Sequence, residues 1–404
     1  MLGAKVAAID SFGNEQSVYP GWKNQLEQID GRLLLLVCAV IFLLSARSTK
    51  RPSVPALLAL TLVVVGMLST YAAGDAYLTS GTAILIGMLL ACAFLEGRSD
   101  ALLGVAVVAA LTVGLSLAAG IFQPESVFLE CVADYKCGPL GYVYSGAMGD
   151  SNGLALVLAG SLPFVWLALA GWTRHALCIA MLVTIWFSGS RTGLYAAVAT
   201  YSLMLLLLIG SRIGVRLGAT SVLSVASTAA FVAGVAIPWV GLRFDELTGR
   251  PYLWYLAIQD VNERWLLGSG SRAWAEKYTE QGRISIAATY SAHNQWIDVL
   301  FSGGILSFMV LIVLLAVCIV QSRSPASVVL LVFPVLAGGI AERLWNIGAS
   351  DWLSFLYVAF LIYCRPSSAD DDEAGEVGGA ARAAGTSARA IARLQSSAVA
   401  QGTS

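Results

Sequence analysis

The sequence predicts an all-α polytopic membrane protein of about 11–12 transmembrane helices, with one large periplasmic loop containing short helices. Three observations carry that reading. Of the 404 residues 57% are hydrophobic and only 12% charged, with a mean hydropathy of +0.75, whereas soluble domains carry roughly 25% charged residues. Solid apolar runs recur along most of the chain, and a charge at mid-bilayer costs at least about 2.5–3.5 kcal/mol. One long polar stretch, between Val240 and Gly304, interrupts them. The strands of a transmembrane barrel would alternate rather than run apolar over ~20 residues, so a β-barrel is excluded.

Residues 1–32 are mixed polar, with no apolar core ahead of a small-residue cleavage site. They read as an interfacial or periplasmic segment rather than a cleavable signal peptide. A transmembrane helical domain follows at 33–366, with apolar runs near 33–46, 54–70, 80–95, 101–121, 152–170, 176–187, 193–210, 218–240, 295–320, 326–341 and 351–364. Arg47, Lys50 and Arg51 follow the first run; Arg98, Arg174, Arg212 with Arg216, Arg323 and Arg365 mark every second connection after it. By the positive-inside rule these connections are cytoplasmic. The 122–151 loop, the Ser188–Arg191 turn and the large loop at 241–293 then share the opposite face. Residues 367–404 are small and polar, with an acidic cluster at Asp370–Glu373. Such a segment buries too little apolar area to fold, and reads as a disordered cytoplasmic tail. The net charge of −1 and the lack of a basic run give no footing for nucleic acid.

Cys38, Cys92, Cys178, Cys318 and Cys364 lie in or at the ends of apolar runs and read as small buried hydrophobes. Cys131 and Cys137 instead fall in a polar loop. If that loop lies on an oxidising side, the two form a disulfide across a small ring.

The large loop holds six cationic residues (Arg243, Arg250, Arg264, Arg272, Lys277, Arg283), several Trp and Tyr to bury, and His293 at its end. Long connections between spans are functional or disordered, and this aromatic content favours function. His293, in SAHNQWIDVLFSGG, sits where a span begins, with Ser291 as a candidate cap. A helix N-terminus disfavours an imidazolium, and a neutral imidazole there can take a proton from a hydroxyl. The alternative is a merely amphipathic interfacial His. Arg191 lies in a tight SGSRTG turn that opens a helix. Guanidinium plus helix N-terminus suits a phosphate, although an Arg at a boundary also snorkels to headgroups. Arg250 precedes Pro251, a residue suited to a helix's first turn, which gives a second anion-friendly helix start; Arg243 competes for the same role. Either Arg could instead pair with Asp245 or Glu246. No metal-ligand spacing and no phosphate-binding glycine loop is present, so neither a metal nor another cofactor is expected.

In order and spacing, SGSRTG, then TGRPYLWYLAIQDVNERWLLGSGSRAW, then SAHNQWIDVLFSGGILSF resemble the O-antigen ligase/polymerase superfamily, from about Gly149 to Leu311. The resemblance implies a metal-independent glycosyltransferase of the bacterial inner membrane with its site facing the periplasm. Its donor would be a glycan on undecaprenyl diphosphate, and its acceptor lipid A–core or another lipid-linked saccharide. Carried over by motif, Arg191 and Arg250 would bind the diphosphate and His293 would activate the acceptor. Ligase is favoured over an O-antigen or exopolysaccharide polymerase, and a lipid-glycan transporter is the alternative of another class.

Overall fold

In a computed structural model, the structure describes residues 6–9, 15–18, 37–40, 42, 52–74, 78–95, 98–131, 137–213, 219–243, 246–270, 273–274, 291–322, 324–346, 348, 351 and 353–365. The expected tail at 367–404 lies outside them, as does most of the 1–32 segment apart from β1 (Val6–Ile9) and β2 (Glu15–Val18), an antiparallel pair.

The described helices are α1 (Val54–Ala72), α2 (Ser80–Cys92), α3 (Arg98–Phe122), α4 (Ser151–Ala168), α5 (Gly171–Phe187), α6 (Arg191–Arg212), α7 (Ala219–Ala236), α8 (Arg250–Glu263), α9 (Gln295–Gln321), α10 (Pro325–Gly338) and α11 (Ser354–Tyr363). The run at 33–46 falls mostly outside the described residues; every other expected run is a helix. Six helices, α1, α3, α4, α6, α7 and α9, are long and apolar enough to cross a membrane, and α2, α10 and α11 are shorter apolar helices. The protein is therefore an all-α polytopic membrane protein. At 1.5 Å per residue, α10 with 14 residues and α11 with 10 measure about 21 and 15 Å, short of a hydrocarbon core of about 30 Å.

The packing places α4 at the centre. It is largely apolar and, from Gly153 to Trp166, buried all round, the mark of a helix enclosed by others. Asp150 caps it by accepting from the Gly153 N–H at 2.8 Å. Helices α3, α5, α6 and α10 pack around it, sharing a core of Leu154, Leu158, Leu162, Met181, Ala197 and Phe333. A second core joins α1, α2, α9, α10 and α11 through Leu62, Leu89, Leu311, Leu331 and Phe360.

The helix α9 is not continuous. Gly304 has φ 63° and ψ −166°, which breaks the 295–320 run that the sequence reads as unbroken. The backbone groups freed by the break are taken up by the segment after α8: Ile305 N–H donates to Trp265 O at 2.8 Å, and Ser269 N–H donates to Phe301 O at 2.7 Å. Glycines permit this approach. A Cβ on Gly304 would stand 2.3 Å from Leu266 O, and one on Gly268 would stand 2.6 Å from Phe301 O. The Ser69 hydroxyl at the end of α1 donates to Leu267 O and ties this strap to the bundle. Irregular backbone inside a membrane protein needs such internal partners.

Between α3 and α4 the chain forms one helical turn (Pro124–Val127) and a hairpin of β3 (Phe128–Glu130) and β4 (Tyr142–Tyr144). Cys131 and Cys137, in the connection between β3 and β4, are bonded, with Cα atoms 5.4 Å apart.

Candidate functional site: a carboxylate shared by an arginine and a histidine

The site gathers where α8, α9 and the segment after α10 meet. Helix α8 lies in the large loop, preceded by a 3-10 turn at Glu246–Gly249. Its N-cap is Gly249 at φ 83°, Arg250 is its first residue, and Pro251 follows within the first turn. Leu253, Leu256, Ala257 and Val261 pack it onto Ile297 and Phe301 of α9, with Trp274 and Ala292 completing the cluster. That apolar face holds Arg250 beside the start of α9.

The start of α9 departs from the sequence reading. Ser291 does not cap it; its hydroxyl accepts the His293 N–H at 3.2 Å. The cap is Asn294, whose side-chain oxygen accepts from Trp296 N and Ile297 N, both at 3.0 Å. This displaces His293 to just outside the helix, at φ 47°; Leu247 is the other described non-glycine residue with a positive φ. Such a backbone costs of order 1–3 kcal/mol and persists where the surroundings impose it.

Those surroundings are the segment 338–345, which the motif residues grip. The Asn294 amide donates to Gly234 O and Ile340 O, each at 2.9 Å. Gln295 does more: its oxygen accepts from Leu344 N and Trp345 N at 3.0 and 2.8 Å, its amide donates to Trp345 O at 2.9 Å, and its own N–H donates to Gly339 O at 2.9 Å. Asp298 accepts the Ala292 N–H at 3.1 Å and faces Arg343 at 3.5 Å. Both Asn294 and Gln295 are fully buried, so each amide needs all these partners.

The gripped segment presents Glu342, which the sequence reading did not single out. One carboxylate oxygen accepts from the Arg250 guanidinium at 2.5 Å, and the other meets His293 Nδ1 at 2.7 Å. Glu342 is 7% exposed, Arg250 18% and His293 23%. Burial alone pushes the Glu342 carboxyl up, but His293 and Arg250, through charge and hydrogen bonds, outweigh it and hold the group below its ordinary value of 4.5. An ionised carboxylate only accepts, so Nδ1 carries the donated proton and Nε2 is turned away from this bond. The same arrangement orients the imidazole of many general bases.

Arg191 is placed differently. It is the first residue of α6, whose cap Ser190 accepts from Gly193 N at 3.4 Å, while Ser188 Oγ accepts from Ser190 N at 3.2 Å. Its side chain is exposed and, among the described residues, has no hydrogen bond or ion pair. The fold brings its helix to the same end of the bundle as Glu342. A Cβ on Gly338 would lie 3.5 Å from the Ala196 methyl of α6, and Gly338 O accepts the Glu342 N–H at 2.9 Å. Arg243 is exposed ahead of α8; Arg272, Lys277 and Arg283 lie outside the described residues.

Residues 176–312 match a family model described as O-Antigen ligase, a span that contains Arg191, Arg250 and His293 and ends before Glu342. Nothing matches among curated proteins or solved structures. Over residues 176–312 the chain is thus similar to the O-antigen ligase-like superfamily.

Proposed function

We propose that this chain transfers a glycan from undecaprenyl diphosphate to a sugar hydroxyl at the periplasmic face of the bacterial inner membrane, as an O-antigen ligase acting on lipid A–core. The observation that carries the reading is the convergence of Arg250 and His293, far apart in sequence, on the two oxygens of one buried carboxylate. In the proposed step the acceptor oxygen attacks the anomeric carbon of the donor. A new glycosidic bond forms, and the bond from that carbon to the diphosphate oxygen breaks. His293 Nε2 takes the hydroxyl proton, Glu342 stabilises the resulting imidazolium through Nδ1–H, and the electron pair leaves on the diphosphate.

The two arginines divide the work on that leaving group. Arg250 has an amino group on Glu342, so its charge is partly offset, and it orients more than it attracts. Arg191, with no acidic partner among the described residues, supplies the uncompensated cation beside the N-terminal amides of α6. In this reading the loop at 241–293 is the catalytic loop, and the guanidinium groups provide the charge that a metal ion supplies in other transferases.

A polymerase reading, in which the acceptor is another lipid-linked repeat, uses the same residues. Reconstituted protein given lipid-linked donor with and without lipid A–core decides between them. Product that appears only with the core is the expected result; chain elongation without the core makes the protein a polymerase. Donor translocated across the vesicle membrane with no glycosidic bond made would establish the transporter reading instead.

A further inference from the structure

The hairpin closed by Cys131 and Cys137 lies outside the family match, and none of its residues enters the proposed chemistry. Its foot is fixed to α3. The Tyr144 hydroxyl donates to Ser116 O, the Ala147 N–H donates to Ser116 Oγ at 3.1 Å, and Val127, Val143 and Tyr144 are buried. Its other end reaches the turn that launches α6. A Cβ on Gly138 would stand 2.5 Å from Phe187 O; one on Gly189 would stand 2.9 Å from Gly138 N and 3.0 Å from the Cys137 carbonyl carbon. The two segments thus meet backbone to backbone, with no side chain between them to yield. Gly189 also holds φ 71°, so the turn has neither the space nor the conformation for any other residue. On the far side of that contact, Ser188, Gly189 and Ser190 lead directly into Arg191.

The geometry points to a positioning role for this hairpin: the Cys131–Cys137 bond fixes a buttress that runs from α3 to the Ser188–Arg191 turn, and it sets donor affinity through Arg191 without touching the donor. The disulfide restricts the ring at the point where the hairpin meets the turn, so it limits how far that contact can open. Close-packed backbone transmits small displacements without absorbing them, and misplacing a bound group by about 1 Å costs up to ~10²-fold in rate. The inference rests on the reading of Arg191 as a diphosphate ligand.

The test uses the full chain in lipid, as wild type, as wild type treated with a dithiol, as Cys131→Ser/Cys137→Ser, and as Gly189→Ala. The dithiol supplies two electrons and two protons, leaves two thiols and is itself oxidised to a cyclic disulfide. The other five cysteines are free and buried, so this is the one bond it can open. Two quantities are read: KM and kcat for the lipid-linked donor, and hydrogen exchange of the amides of residues 187–193. Opening the bond is expected to speed exchange there and raise the donor KM on the order of tenfold with kcat nearly unchanged. Gly189→Ala, its disulfide intact, should do the same, and the dithiol should have no effect on the double serine variant. Unchanged exchange in the reduced and serine forms overturns the buttress. Faster exchange with unchanged donor KM leaves the mechanical coupling standing and removes Arg191 from the donor site. A fall in kcat equal to that of a general loss of folded protein, with KM unchanged, likewise overturns the positioning role.

Discussion

The two cationic regions of the site are built on opposite plans. Arg250 and His293 are fixed through their side chains, each bonded to Glu342 in a pocket where the carboxylate is 7% exposed. Arg191 is fixed through its backbone, by serine caps and a glycine turn, and its guanidinium is left in the open. A side chain already satisfied by the protein is preorganised to act on a substrate; one left unsatisfied is available to bind it. In the proposed function, acid–base chemistry and orientation fall to the first region and capture of the anion to the second.

Variants can break or sharpen that division. The largest effect is expected from His293→Ala, which should lower kcat by about 10³-fold or more while donor binding persists, since a lost base removes its whole general-base contribution. Equal loss of binding and turnover would move His293 out of the chemistry. Glu342→Gln should follow at about 10²-fold in kcat, because an amide neither charges nor fixes the imidazole in the same way. The pH dependence gives an independent check. Glu342's folded value lies below its unfolded one, so its contribution to stability is complete above the ordinary value of 4.5 and is lost as pH falls through the lowered value. Unfolding measured against pH should show that acid-side loss in wild type and lack it in Glu342→Gln. Arg191→Lys should raise donor KM by about tenfold, charge being kept and the planar fork lost; an unaltered KM would return Arg191 to a headgroup contact. The smallest effect is Asn294→Ala, expected to cost about 1–2 kcal/mol for the cap alone, read in thermal unfolding, with more if its bonds to Gly234 and Ile340 matter to stability.

Much of this site was legible because its chemistry is local in sequence. Pro251 after Arg250, the turn around Arg191 and the polar SAHNQ preceding an apolar run all announce helix starts by residue type, and the structure has helices beginning at 191, 250 and 295. Glu342 was not legible for two reasons. It lies outside the spans, directly after the apolar run at 326–341, where a charge reads as an ordinary connection residue. Its meaning also depends on Asn294 and Gln295, whose partners lie at 234 and 339–345 and are joined only by the fold. A signal did exist: an adjacent Glu342–Arg343 pair in a connection that strict alternation of spans puts on the side of His293. The break at Gly304 was hidden similarly, since FSGG inside an apolar run satisfies any hydropathy criterion for a continuous helix. Its φ is set by the strap from Trp265 to Gly270, which the local sequence does not reveal.

The brevity of α10 and α11 has a bearing on the solvent around Glu342. A bilayer meets helices shorter than its hydrocarbon core by thinning or by letting flanking polar groups snorkel, which brings headgroups and water toward their ends. Glu342, just past the end of α10, keeps its charge through His293 and Arg250, which hold its carboxyl below the ordinary value. On the proposed function, turnover of the reconstituted protein is then expected to fall as the acyl chains of the host lipid lengthen.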